Sequence, residues 1–414
     1  MTNTGKAAAA DDSEMSVRPS QMTIGKAAVL GAGTMGAGIA AHLANAGIPT
    51  LLLDIAPKEE GAADKNAIVR SLFEAAKKLR PAPFMLADNA KLITIGNFTD
   101  DIGKLKDCDF VIEAVVENLE IKHKLYAEVE KHRKPGAVIA SNTSGIPIDS
   151  IAEPFSEDFK QHFVGIHFFN PPRYMKLVEV IPGTNTSGEI ACKVSGFLDQ
   201  RLGKGVVPAK DRPNFIANRI GTFGMMATVH EMLAMGFTPT EVDQMTGKAI
   251  GHAGSATFRT SDLVGLDVTA HVTTNLYPVV PEDEDRDVFQ LPELIKTLLE
   301  KKLLGDKTKG GFYKKSKSAE GKTEILELDL NTFEYKPQGK TKFPSLDVAK
   351  AIEDIPSRVK KLVWGDDRVG EFLWKTSSRV SRYAANRIPE IADTIARPPR
   401  PSRRMPHALI RQLP

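Results

Sequence analysis

The residues best suited to chemistry lie in one run, His162-Phe-Val-Gly-Ile-His-Phe-Phe-Asn-Pro-Pro-Arg-Tyr-Met-Lys-Leu-Val-Glu-Val-Ile-Pro-Gly183. His167 falls at the end of an apolar stretch, before a Pro-rich turn. Glu179 follows 12 residues later, on the stretch that returns. That spacing can bring the two side chains together across adjacent strands. An imidazole that titrates near neutrality can take a proton from a hydroxyl. A buried carboxylate on its other nitrogen fixes the tautomer and stabilises the imidazolium. The chemistry that fits is oxidation of an alcohol, with the base removing the proton while hydride leaves to a nicotinamide. Taken singly, His167 reads as a core or surface histidine and Glu179 as a solvated charge. His162 has no patterned partner and is given no role.

Two further groups fit the same chemistry. Ser144 follows a strand that should end at the carboxyl edge of a sheet, where open α/β folds bind ligands. Its hydroxyl could hold a substrate oxygen, or it could be a helix cap. Asn218 could bond the same oxygen, or be an amide on a helix surface. Ser and Asn favour caps for backbone reasons, so spacing alone leaves both readings open.

A hydride acceptor has a place upstream. Gly31-Ala-Gly-Thr-Met-Gly36 follows an apolar strand and opens a helix, and Asp54 closes the next strand, 18 residues past Gly36. In this context Gly31 permits the tight turn, Gly33 lets backbone approach a pyrophosphate, and Gly36 lets helix pack on strand. Thr34 and Met35 sit inside the turn, where the helix N-terminus offers N–H groups and partial positive charge. A carboxylate at Asp54 accepts from ribose hydroxyls and repels a 2′-phosphate, which favours NAD over NADP.

The elements that must position these groups alternate. Short strands are expected at 26–30, 50–54, 110–116, 137–140, 162–169 and 176–181. Helices are expected at 37–46, within 58–80, and at 119–132. The expected fold is α/β, a Rossmann-type, parallel, doubly wound sheet followed by an all-α domain. Residues 1–22 read as a disordered tail with neither signal nor transit pattern, and 23–208 as the nucleotide-binding domain. Residues 209–313 read as the helical domain, 314–345 as a hairpin linker, 346–396 as an incomplete second helical domain, and 397–414 as a disordered Arg/Pro-rich tail. A faint repeat relates Asp211-Arg212, Phe215 and Glu241-Val-Asp243 to Asp367-Arg368, Phe372 and Glu390-Ile-Ala-Asp393.

With 414 residues, two or three domains are expected. A net charge of +3 and the lack of a basic, aromatic-interleaved face argue against nucleic-acid binding. No run is apolar and long enough for a bilayer span. Cys108 and Cys192 have no disulfide or metal spacing, so no metal is expected and a reducing, cytoplasmic setting fits.

At these residues the chain resembles the L-3-hydroxyacyl-CoA dehydrogenase family. The stretches AVLGAGTMGAGIA, EAVVENLEIK, ASNTSG, HFFNPPRYMKLVEVI and KDRPNFIANRI occur in the family's order over about residues 26–313. The resemblance implies that His167 is the base, Glu179 its partner, and Ser144 and Asn218 the contacts to the substrate oxygen. It implies that Asp54, Glu117, Lys122 and Asn142 lie along the NAD and CoA-phosphate groove, and that Asn170 helps hold the catalytic loop. Where many relatives read SNTSS, this chain has Gly145. The expected substrate is an acyl-CoA of β-oxidation; a dehydrogenase of free β-hydroxy acids and a truncated, poorly folding NAD-binding chain are the other readings. The remainder resembles bacterial fusions that carry an enoyl-CoA hydratase module behind the dehydrogenase. The family resemblance implies a possible homodimer through the helical domain and a possible separate hydratase or thiolase, and the patternless Arg/Pro-rich run 397–414 reads as a basic tail or as a frameshifted ending. Phe372, Leu373 and Trp374 should then be exposed for want of a partner, and deletion of 346–414 should spare activity.

Overall fold

A computed structural model describes residues 22–58, 63–317, 321–339 and 341–394. Nearly all of the expected N-terminal tail, and all of the 397–414 tail, lie outside these residues. Eight strands form one sheet: β1 (Ala27–Leu30), β2 (Thr50–Asp54), β3 (Ile93–Asn97), β4 (Phe110–Glu113), β5 (Val138–Ser141), β6 (Phe163–Phe168), β7 (Leu177–Pro182) and β8 (Gly205–Pro208). Their order is β3-β2-β1-β4-β5-β6-β7-β8. Helices α1 (Thr34–Asn45), α2 (Ala67–Lys77), α3 (Phe98–Asp101), α4 (Leu119–His132), α5 (Ile148–Ala152), α6 (Glu157–His162) and α7 (Gly188–Gln200) belong to this half. Strands β1, β4 and β5 are buried along their whole length, as expected of central strands covered on both faces.

The first six strands are parallel, but β7 runs antiparallel to β6. The sheet is thus mostly parallel, and the returning strand expected across from His167 is antiparallel for a simple reason. Only eight residues, 169–176, separate β6 from β7, and a parallel return needs a crossover of a dozen or more. β3 and β8 were not expected from sequence. Both are short, and β3 ends in Gly96-Asn97, which reads as a turn.

The second half is helical: α8 (Ala217–Met235), α9 (Pro239–Thr246), α10 (Phe258–Val264), α11 (Leu266–Val279) and α12 (Glu293–Glu300). Thr238 and Glu241 form a capping box around the start of α9, and Gly236, at φ 66°, closes α8. Strands β9 (Tyr313–Lys317), β10 (Thr323–Leu328) and β11 (Tyr335–Pro337) then make a small antiparallel sheet. This segment is more than a linker. Leu328 is buried in the helical core, and buried Glu327 accepts from Thr240 N at 2.6 Å.

Helices α13 (Pro344–Ala349), α14 (Ile355–Val363) and α15 (Arg368–Asn386) complete the described chain. They share the hydrophobic core of α8–α12: Leu346, Leu362, Val369, Phe372, Leu373 and Tyr383 pack with Phe223, Met226 and Met232. The expectation of exposed apolar groups is therefore corrected for Phe372 and Leu373, which are fully buried. Their partner is α8 and its neighbours, contributed by the same chain. Trp374 does remain 46% exposed, against Trp364 with ring centroids 4.8 Å apart.

Candidate active site

Register brings the expected pair together. His167 on β6 stands opposite Glu179 on β7, and its Nδ1 lies 2.7 Å from Glu179 Oε2. Both are buried, His167 to 4% exposure. A carboxylate can only accept, so Nδ1 carries the proton and Nε2 is the nitrogen left to accept one. The second oxygen, Oε1, accepts from the amides of Ile216 (3.1 Å) and Ala217 (2.7 Å) at the start of α8. One carboxylate thus fixes the imidazole and anchors the helical half to the sheet. The rings of Phe169 and Phe215 lie against the imidazole, with centroids at 4.5 and 5.8 Å.

Beside the pair lies the turn after β5. Glu117 Oε1 accepts from Thr143 Oγ1 (2.5 Å) and from the amides of Ser144 (2.8 Å) and Gly145 (3.1 Å). Burial would push the Glu117 carboxyl up, but the Lys122 ammonium and the bonds from Thr143 and Ser144 outweigh it and hold it below its usual range. Lys122 was expected along the groove. It is 1% exposed, with Nζ 2.7 Å from Glu113 and 3.4 Å from Glu117, so it shapes the turn from beneath. Ser144 is exposed at the tip, and Asn218 Nδ2 donates to the Ser144 carbonyl at 3.3 Å. Asn142 Oδ1 accepts from Phe168 N at 2.9 Å and ties the ends of β5 and β6. The structure therefore brings His167, Glu179, Ser144, Asn142 and Asn218 into one neighbourhood. Asn170 is exposed in the turn after β6.

The glycine turn passes a test for a nucleotide. Gly31 has φ +100°, and a Cβ there would stand 2.6 Å from Ala114 O. At Gly36 it would stand 1.8 Å from Gly31 O. Those two glycines are explained by the fold itself. Gly33 is different: a Cβ there meets nothing within 4 Å, so its small size serves something outside the fold. Gly33 also caps α1 without a side chain, which leaves the first amides of α1, Thr34 to Gly36, without a side-chain acceptor. Asp54 is held by Ala32 N (2.6 Å) and Ile55 N (2.7 Å). Thr34 is exposed, and Met35 packs partly into the core. These residues fit a dinucleotide, with the α1 amides on its phosphates and Asp54 on a ribose. Among the described residues no cluster of three metal-ligating side chains occurs.

The matches to known proteins follow this layout. Residues 26–212 match the model of the 3-hydroxyacyl-CoA dehydrogenase NAD binding domain, and residues 215–315 that of the 3-hydroxyacyl-CoA dehydrogenase C-terminal domain. The chain belongs to the 3-hydroxyacyl-CoA dehydrogenase family. A Bacillus subtilis member named "Probable 3-hydroxyacyl-CoA dehydrogenase" is 51% identical over 90% of this chain and 48% of its own length. One of the same name from Deinococcus radiodurans is 53% identical over 72% of this chain and 84% of its own. The crystal structure of (S)-3-hydroxybutyryl-CoA dehydrogenase from Ralstonia eutropha superposes with a TM-score of 0.57 at 31% identity, over 70% of this chain and 98% of that one. The chain spans about half the length of several curated relatives that it matches. Its N-terminal half is the family's NAD-binding domain, and NAD is the cofactor.

Two charged residues of the KDRPNFIANRI stretch, Asp211 and Arg219, are not assigned to the site from sequence. Asp211 accepts from Ile148 N (2.8 Å) and Asp149 N (2.9 Å), and so pins the passage between the halves; burial pushes its carboxyl upward. Arg219, next to Asn218, is fully buried beneath α15, where Nε meets Tyr383 OH at 2.6 Å and Nη2 meets Asp283 at 2.7 Å. Only the packing of remote segments shows what each one holds.

Proposed function

We propose that this protein oxidises the 3-hydroxyl of an L-3-hydroxyacyl-CoA to the 3-keto thioester, as a step of fatty-acid β-oxidation. The observation that carries this reading is the buried His167–Glu179 pair, held by the α8 amides beside the Ser144 turn and Asn218. When bound, NAD⁺ supplies the acceptor for the hydride leaving carbon 3.

The chain's own residues do the rest. His167 Nε2 takes the hydroxyl proton. Glu179, already bonded to Nδ1–H, stabilises the imidazolium that forms, and its two backbone donors keep the carboxylate from turning away. Ser144 and Asn218 hold the reacting oxygen. The α1 amides and Asp54 set the cofactor's place relative to that oxygen.

The test is NADH formation from L-3-hydroxybutyryl-CoA and L-3-hydroxydecanoyl-CoA, with free 3-hydroxybutyrate and His167→Ala as controls. Turnover of the thioesters that the variant loses is the expected result. Turnover of the free acid alone overturns the substrate class. The partners proposed are the acyl-CoA, a hydratase or thiolase acting on neighbouring intermediates, and a second copy through the helical half. A cytoplasmic location is proposed with them. No described helix is long and apolar enough to cross a membrane.

A further inference from the structure

Lys204 stands at the entrance to β8, and its side chain is 2% exposed. Its Nζ donates to the carbonyls of Met175, at 2.8 Å, and of Pro172. Both carbonyls belong to the turn 169–176 that joins His167 to Glu179. The ammonium also lies 5.8 Å from the Phe168 ring centroid. The same turn rests on α1: a Cβ at Gly38 would stand 3.0 Å from Pro172 Cδ. Backbone bonds from Tyr174 and Met175 to Pro171 O, each 3.0 Å, close the turn internally. A lysine buried against carbonyls is costly, because the ammonium gives up water for neutral acceptors.

We propose that Lys204 is a positioning residue for the proton-accepting histidine: its ammonium gathers the Pro172 and Met175 carbonyls and fixes the turn that sets His167 against Glu179 and against α1. The proposal rests on the reading of His167 as the base, and it deepens that reading. The groups facing Lys204 support it. His42 on α1, whose Nε2 lies 3.2 Å from Leu202 O, is pushed down to about 4, first by burial and then by the Lys204 charge. Arg173, in the turn itself, is the nearby permanent cation and bonds to Ala82 O and Phe84 O. Burial pushes the Lys204 amine down to about 8. Below that pH it is a charged donor. Above it, the two bonds lose their charge assistance and the turn loosens.

The experiment pairs turnover with hydrogen exchange. In the wild type, kcat should fall as pH rises through about 8, and the Tyr174 and Met175 amides should lose protection over the same range. Lys204→Met should lower kcat roughly 10- to 100-fold, the effect of a slightly misplaced catalytic group, with both KM values within about twofold. Its melting temperature should fall only slightly, since relief of the buried charge offsets much of the cost of leaving two carbonyls without a donor. Exchange at Tyr174 and Met175 should rise about tenfold, and the alkaline fall should vanish. Lys204→Arg keeps a cation that does not titrate in this range; it should restore protection without the alkaline fall. Exchange that stays constant in the wild type across pH about 8, once intrinsic rates are removed, overturns the proposal whether or not any variant folds. So does a Lys204→Met protein whose turnover drops only together with a large fall in its melting temperature. Exchange needs no substrate. A wild type that shows the protection change but turns over no hydroxyacyl-CoA would sink the functional reading and leave the clamp standing.

Discussion

The β6–β7 hairpin and helix α15 both bury a polar cluster, and they do so in opposite ways. In the hairpin, His167 and Glu179 are 12 residues apart and meet because antiparallel register places them across from each other. Around α15, Arg219, Asp283 and Tyr383 come from three distant segments. Tyr383 OH accepts from Arg219 Nε at 2.6 Å and donates to Asp283 at 2.6 Å, while its ring stacks on Phe223 with centroids 3.7 Å apart. The chain just beyond α15 is tied back too: Lys210 N donates to Ile391 O at 2.9 Å, and Ile391 is buried with Phe215 and Ile216. A local pair depends on one turn and one sheet. A cluster assembled from remote segments depends on all of them being present at once.

The strongest way to break that contrast is to remove α15. A chain ending before Arg368 would uncover Phe223, Met226 and Met232 and leave Arg219 and Asp283 without Tyr383. We expect it to lose its folded helical half and all turnover, against the expectation from sequence that deletion of 346–414 spares activity. A soluble deletion product with wild-type rates would show α15 to be dispensable. His167→Ala tests the local pair: kcat should fall by roughly 10²–10⁴, the usual contribution of a general base, with circular dichroism and melting unchanged. If the rate survives, the hairpin does not hold the base.

Smaller changes sharpen the comparison. Tyr383→Phe keeps the ring stack but strips a partner from two buried groups, which should cost about 1–3 kcal/mol in urea unfolding and leave kcat intact at low denaturant. Gly33→Ala should weaken NADH binding about tenfold, or about 1.4 kcal/mol, at an unchanged melting temperature, because the added methyl meets no protein atom. Wild-type NADH affinity there would remove Gly33 from the cofactor site. The smallest effect is in pH. Burial pushes Asp243 and Asp262, both in the helical half, up to about 6. Their contribution to stability is full below the ordinary carboxylate range and is lost as pH rises through about 6. Melting temperature should therefore decline across that window and level off above it, and Asp243→Asn should flatten the decline.

Local rules left their mark on much of this chain. The glycine turn, Asp54, the helix 119–132 and the His167–Glu179 spacing could be read because each obeys a fixed period or a short-range turn requirement. The sequence by itself determined which residues could do the chemistry and which strands lie in the sheet's interior. Tertiary structure alone decided that Lys122 lies under the Ser144 turn, and that Lys204 reaches the turn between the catalytic pair. It also decided that Phe372 and Leu373 have a partner. The reason is physical. A strand's apolar alternation or a helix cap is an energy written in neighbouring residues, whereas a buried cation or aromatic ring is placed by segments that meet only after the chain has folded.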